Sequence, residues 1–398
     1  MEQSKLRLLL VLGLLTCLGP LAIDMYLPAL PAISDDLGAD TGAVQMTLTA
    51  YFLGFGLSQL IYGPLGDQYG RKWPMFAGVT IFGLGSVLSV VAPSIEVLTL
   101  ARLVQGIGGA ALMVIPRAVV RDRFTGTDGA QLMGFMMMIV SVSPMLAPLA
   151  GSGVLAFSGW RGIFVLLAVM AAVGLLIITF LYRETLPQEN RVVFNRQSFV
   201  EGTGRLFRDG EYLSLTFIGG FAMASFFVFI ASASFVYTGE FGLTPAGFGL
   251  AFAVNGVGFF IATMVSGKAG ATLGMHRLVR IAITCFFVIT LSLVALTLAD
   301  LVTLYLLITL LVMGFFCLGL TIPTVMVLSL ENHGDIAGLA SSLGGTLQMF
   351  TGAGMIAIGS PVFDGTTLPM VSAIAACGAA AFALTRTSFL RQPNLQNS

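Results

Sequence analysis

About a dozen apolar stretches of some twenty residues each, parted by short polar breaks, run through this chain from end to end. A stretch of that length is what a helix needs to cross the hydrocarbon of a bilayer. In lipid every backbone N–H and C=O must be satisfied internally, so only helices and closed barrels span it. None of the stretches alternates with a period of two, which argues against an outer-membrane barrel. The expected fold class is therefore an all-α integral membrane protein. Its composition agrees: 57% of 398 residues are hydrophobic and 10% are charged, where a soluble domain carries about 25% charged residues.

Windows of spanning length fall at about 6–30, 43–65, 73–92, 96–119, 131–157 and 161–182. After a polar interval they resume at about 212–236, 246–267, 279–299, 301–330, 338–359 and 369–389. Twelve transmembrane helices are expected, as two six-helix halves, 1–182 and 212–398, joined by a cytoplasmic linker at 183–211. The boundaries near 158–161 and at Asp300 are the least marked. Lys5 and Arg7 ahead of an apolar run resemble the start of a signal peptide. The run continues past Gly19 and Pro20, too long for a cleavable apolar region, and is read as a retained first helix.

Charge tests the count. With both termini cytoplasmic, 16 of the 19 Lys and Arg fall at the ends of the chain or in cytoplasmic loops. Arg117 lies at the same end of the fourth span, Arg102 lies within that span, and Arg161 alone borders an outer loop. The outer loops carry Asp35, Asp36, Asp40, Glu96, Glu240, Asp300 and Asp364 instead. This asymmetry sets the orientation and requires an even number of crossings. A net charge of zero without a basic tract argues against nucleic-acid binding. The four cysteines show no CxxC spacing and are read as packing residues, with no metal site. His276 and His333 are read as solvated loop residues.

Two charges lie within the apolar stretches, Asp24 and Arg102, and both are placed in the outer third of the membrane. An ionisable side chain there marks an ion or proton pathway by default, although a fixed ion pair between the first and fourth helices is the competing reading. Gly13, Thr16, Cys17, Pro20 and Asp24 recur at three and four residues, as do Arg102, Gln105, Gly106 and Gly109. Each set makes one small or polar stripe suited to a cavity or a close helix contact. Pro20 loosens the first helix a turn before Asp24. The protonation of Asp24 is expected to follow which side its cavity opens to.

A faint internal repeat links the halves. Gly63 and Gly70 bracket one loop, Gly267 and Gly274 bracket another, and both loops then turn basic. Repeats of this kind are an architecture of secondary transporters, with the substrate site near the midplane.

The run Gly63-Pro64-Leu65-Gly66-Asp67-Gln68-Tyr69-Gly70-Arg71-Lys72 resembles the loop signature of the major facilitator superfamily. Leu98 through Gly106, with Arg102 and Gln105, resembles its helix-four motif, whose arginine is tied to proton coupling. Ala147-Pro148-Leu149-Ala150-Gly151-Ser152-Gly153 resembles the helix-five motif of its antiporters. Ile23-Asp24-Met25-Tyr26-Leu27-Pro28-Ala29-Leu30-Pro31 is similar to the helix-one signature of the bicyclomycin and chloramphenicol resistance (Bcr/CflA) branch of the drug:proton antiporters. Gly66, Gln68 and Ser152 depart mildly from these patterns. Thr16 stands where some related exporters carry a second acid, which implies simpler coupling, of one proton per cycle.

The resemblance implies a proton-coupled antiporter of the inner membrane that exports small amphipathic drugs by alternating access. It implies a monomer that needs no cofactor beyond the proton gradient. Asp67, Arg71 and Asp122 are expected to form a cytoplasmic latch with Gly63 and Gly70 as turn glycines. A plain surface salt-bridge cluster is the alternative. Pro144, Pro148 and Gly151 are expected to give the fifth helix a kinked, smooth face against the other half. A pocket for apolar drugs wants aromatics, Met and a few polar groups. Candidates are Tyr26, Gln105, Met136, Met137, Met138, Met145, Phe226, Phe227, Asn255 and Phe316, with Tyr26 and Asn255 favoured. A metabolite transporter or proton symporter on the same fold is the alternative function. An enzyme lacks a nucleophile or metal constellation, no GxxxxGK[ST] is present for ATP hydrolysis, and no ring of charges suggests a channel.

Overall fold

A computed structural model describes residues 3–124, 126–192 and 195–389. Arg391, counted above among the cytoplasmic charges, lies outside the described residues, as do the side chains of Lys5, Arg7 and Met137. The described residues form thirteen α-helices and no strand. They divide into two compact units, one of Met1–Asn195 with Pro245–Leu250, the other of Arg196–Thr244 with Ala251–Ser398.

The first unit holds α1 (Gln3–Asp24), α2 (Leu30–Leu37), α3 (Thr41–Tyr69), α4 (Lys72–Val90), α5 (Ile95–Arg123) and α6 (Gly126–Phe180). The first span is not one helix. α1 stops at Asp24, a 3₁₀ turn covers Leu27–Ala29, and α2 follows. Pro28 has no N–H to give the Asp24 carbonyl and Pro31 has none for Leu27, so two helical bonds are lost within one turn. The apolar stretch also runs further than expected, through Val11–Leu37, which puts Asp24 at its middle and not in its outer third. Gly38, at φ +60°, ends α2, and Asp40 caps α3 by accepting from Ala43 N at 2.6 Å.

Small residues bring α3 and α4 onto α5. A Cβ on Gly106 would stand 2.1 Å from the Tyr51 carbonyl oxygen, and one on Gly108 would stand 2.2 Å from Phe82 N. α6 contains the expected fifth and sixth spans, parted at Gly159 (φ +68°). Arg161, the one basic residue expected at an outer loop, is pinned there. It donates to Asp36 Oδ2 at 2.6 Å and to the Ala92 carbonyl at 3.2 Å, and it stacks on Trp160.

The second unit holds α7 (Arg196–Arg208), α8 (Gly210–Phe235), α9 (Pro245–Leu273, beyond its first turns), α10 (Met275–Leu298), α11 (Leu304–Glu331), α12 (Ala337–Gly359) and α13 (Thr367–Phe389). A core of Leu215, Ile218, Val279, Ile283, Val325, Leu328 and Ala381 joins α8, α10, α11 and α13. Asp300, at φ +54°, turns the chain between α10 and α11.

Among the described residues, ten helical stretches are long and apolar enough to cross a membrane, where twelve were expected. Two differences account for the count. The fifth and sixth spans follow one another across the kink at Gly159 with no gap and so count as one stretch, and α12 is long enough but too polar, with Ser341, Ser342, Thr346, Gln348 and Thr351 along it. His333 also departs from expectation. It is buried, 3.2 Å from Asp209 Oδ2 and packed on the Tyr212 ring. His276 is half-buried in the first turn of α10, 3.8 Å from Glu211.

Candidate functional site

Asp24 is 4% exposed at the last position of α1, and its Oδ2 accepts from Ser143 Oγ of α6 at 2.9 Å. Arg102 of α5 is fully enclosed. Its Nη1 donates to the Ala22 carbonyl at 3.0 Å and to Gln105 Oε1. The two charges do not form an ion pair, so neither a direct bridge nor a fixed ionic staple holds α1 to α5. Arg102 instead neutralises the carbonyl end of α1, where the last turn leaves C=O groups unsatisfied and the helix dipole is negative.

The rest of the guanidinium faces rings. Its Cζ stands 4.6 Å from the centre of Tyr26, 4.5 Å from Tyr51 and 5.9 Å from Phe164, while Nε and Nη2 have no hydrogen-bond partner. Desolvated cation–π contacts contribute about 2 kcal/mol each. The cage is itself hydrogen-bonded. Tyr51 OH donates to the Gly19 carbonyl at 3.2 Å. The Thr47 hydroxyl gives its proton to the Val44 carbonyl, which leaves Tyr26 OH to donate to Thr47 Oγ1 at 2.8 Å. Gln105 Nε2 donates to Ser86 Oγ at 2.8 Å. Its amide is thus engaged at both ends and positions Arg102.

Asp24, Tyr26, Arg102 and Gln105 therefore come together in the first unit, with Ser143, Tyr51 and Phe164 added. Ser143 is a residue that sequence reasoning missed. It lies four residues before Ala147 and eight before Gly151, so stepping back by fours from Gly151 would have found it. Gly151 meets its own unit. A Cβ there would stand 2.2 Å from the Met25 carbonyl oxygen. At Gly151 the fifth span is thus packed against the break in the first span. Next to it, Ser152 Oγ donates to the carbonyls of Pro148 at 2.8 Å and Pro245 at 2.7 Å. Met138 is exposed on α6.

In the second unit Asn255 is buried. Its Nδ2 donates to the Tyr237 hydroxyl at 2.9 Å and the Ala251 carbonyl at 3.1 Å, and its Oδ1 has no partner. Phe226 stacks on Phe259 and meets the edge of Phe315, within an aromatic group that continues through Phe229 and Phe252.

The α3–α4 junction carries a second charged cluster. Arg71 donates to Asp67 Oδ1 at 2.7 Å and grips Asp122 with two bonds, Nε to Oδ2 at 2.6 Å and Nη2 to Oδ1 at 3.2 Å. Its side chain is 3% exposed, so this is not a solvated surface cluster. Burial works against the Arg71 charge, and the two carboxylates outweigh it, raising its pKa above the ordinary arginine value. Only Gly70 makes the turn, at φ +88°, while Gly63 lies inside α3. The other half repeats this: Gly274 turns at φ +81° and Gly267 is inside α9.

Glu184, from the segment read as a cytoplasmic linker, completes the junction. Its Oε1 accepts from the N–H groups of Arg71, Thr185 and Leu186, and its Oε2 accepts from that of Lys72. Burial favours the neutral acid, but these four bonds outweigh it and hold the carboxyl below the ordinary glutamate range. An acid just beyond a span carries no sequence signal that it will reach back to a loop 112 residues earlier.

The sequence profile described as "Major Facilitator Superfamily" matches residues 12–357. An uncharacterized MFS-type transporter of Bacillus subtilis, YdgK, is 33% identical over 88% of both chains. The bicyclomycin resistance protein homolog of Haemophilus influenzae is 28% identical over 94% of both. Among solved structures, a D-xylose-proton symporter superposes with a TM-score of 0.78 at 14% identity, over 99% of both chains, a likeness of fold.

Proposed function

This chain belongs to the major facilitator superfamily, whose members are membrane transporters and not enzymes, and from that premise we propose that it is a proton-coupled antiporter exporting small amphipathic drugs. Its likeness to a bicyclomycin resistance homolog favours the Bcr/CflA branch and substrates of the bicyclomycin and chloramphenicol kind. The proposed topology is twelve crossings of the inner membrane with both termini cytoplasmic. Counting the two arms of α6 separately and adding α12 brings the ten apolar stretches to twelve. The halves 1–182 and 212–398, joined by 183–211, work by alternating access as a monomer.

One observation carries this reading. A buried carboxylate sits at a helix break in the middle of a spanning stretch, held by a single hydroxyl, while the nearest cation caps a helix end. An acid so placed can take and lose a proton without breaking an ion pair. Arg102 holds the carbonyl end of the helix that carries it. Tyr26 and Gln105 are the substrate-wall candidates of the first unit, and Asn255 and Phe226, a polar atom and a ring, are those of the second. Arg71 with Asp67 and Asp122 is the latch that opens and closes with each cycle.

The test uses inverted membrane vesicles with an inside-acid pH gradient, to which chloramphenicol and bicyclomycin are added in turn. Wild type is expected to dissipate the gradient with at least one compound, and Asp24→Asn with neither. Equal responses from the two proteins would remove Asp24 from the coupling path. No response from wild type to either compound, despite a folded protein, would move a metabolite symporter ahead.

A further inference from the structure

We propose that Ser143 is a positioning residue that reports the charge on Asp24 to the middle of α6. The inference rests on the proton-carrier reading above. Ser143 Oγ is the hydrogen-bond donor to Asp24, at 2.9 Å, and both side chains are buried. A hydroxyl bound to an ionised carboxylate makes a bond about twice as strong as one to a neutral partner. With Asp24 ionised, α6 is tied to the end of α1. When Asp24 takes a proton from water the tie weakens, and Ser143 keeps its own proton throughout.

Two features of α6 turn that local change into a movement. Pro144 and Pro148 lie directly beyond Ser143, and Pro148 has no N–H for the Pro144 carbonyl, so the helix is short of a bond where it is tied. Two turns beyond Ser143 on the same stripe, Gly151 rests against the Met25 carbonyl with no room for a Cβ. The turn at Asp24 and Met25 thus meets α6 at two levels, one fixed by shape and one set by charge. The charged and titratable groups about Asp24 are Arg102 from α5, Tyr51 from α3 and Tyr26 from the turn. α6 meets it with a neutral hydroxyl, so the carboxylate's own ionisation governs this bond.

Hydrogen–deuterium exchange of the segment 142–151 in full-length protein in nanodiscs tests this without a drug. Ser143→Ala and Asp24→Asn are each expected to raise exchange about tenfold at a pH where Asp24 is ionised. The double variant is expected to add nothing further, and Ser143→Thr to match wild type. Exchange unchanged by Ser143→Ala, or effects that add in the double variant, would overturn the proposal. In a parallel arm, Ser143→Ala vesicles are expected to exchange chloramphenicol at equal pH while losing gradient-driven export. Undiminished driven export by Asp24→Asn sinks the proton-carrier reading, whereas the exchange pattern decides the Ser143 tie by itself.

Discussion

Arg102 is enclosed and bonded to no carboxylate, so what keeps it in place is shape: a planar cation between two tyrosine faces with one edge on the Ala22 carbonyl. Lysine matches the charge and neither the plane nor the fork. Arg102→Lys is therefore expected to cost about 1–3 kcal/mol and to abolish driven transport. Thermal unfolding in detergent, followed by fluorescence-detected size exclusion, gives the first quantity and vesicle assays the second. Gly151 makes the complementary case, because no side chain fits against Met25 O. Gly151→Val is expected to destabilise by about 1–3 kcal/mol through overpacking, read in the same assay. Asp24, Arg102 and the helix-five stripe were legible in the sequence because charge in an apolar run and small residues at helical spacing are local signals. The partners were not. That Arg102 faces Ala22 and that Gly151 faces Met25 depends on where the first span breaks, which two prolines decide only once the neighbouring helices are in place.

At the scale of elements, the α3–α4 junction shows why the latch residues alone were an incomplete reading. Arg71 and Asp122 were identifiable from the loop motif and the end of the fourth span, and the pairs form. Gly63 was assigned to the turn, but α3 runs on to Tyr69, so the reversal falls on Gly70 alone. Glu184 then fills the space beside Gly70, where a Cβ would stand 2.5 Å from its Oε2. A carboxylate on the N–H groups that open a helix contributes about 0.3–1 kcal/mol at an exposed site. The sign of its pH dependence follows from its depressed pKa: the contribution is present above the ordinary glutamate range and is lost as pH falls through the lower value of the folded state. Wild type is thus expected to melt above Glu184→Gln at pH 7, with the gap narrowing once the pH falls below the ordinary glutamate range. A gap that persists into acid would mean that Glu184 acts through packing and not through charge. Gly70→Ala is expected to lower the melting point at every pH, since both the positive φ and the Glu184 contact oppose a side chain.

Across the whole molecule, hydropathy and charge together say more than either alone. Hydropathy sees ten stretches among the described residues because it runs through Gly159 and passes over α12. The distribution of lysines and arginines favours the proposed even number of crossings, in which α6 turns on one side and the basic loops lie on the other. Gly159 lies beside Arg161, whose bonds to Asp36 and Ala92 place the turn at the same end as the acids of α2 and the α4–α5 loop. If α6 crosses twice and α12 once, Ser158 faces the outside and Lys268 the cytoplasm. Both positions are exposed. In a background without the four native cysteines, Ser158→Cys is expected to react with a membrane-impermeant maleimide in intact cells. Lys268→Cys is expected to react only after the membrane is opened. Labelling of both in intact cells would break the proposed topology. The reverse pattern would invert it, turning the Arg71 latch outward and a drug exporter into an importer.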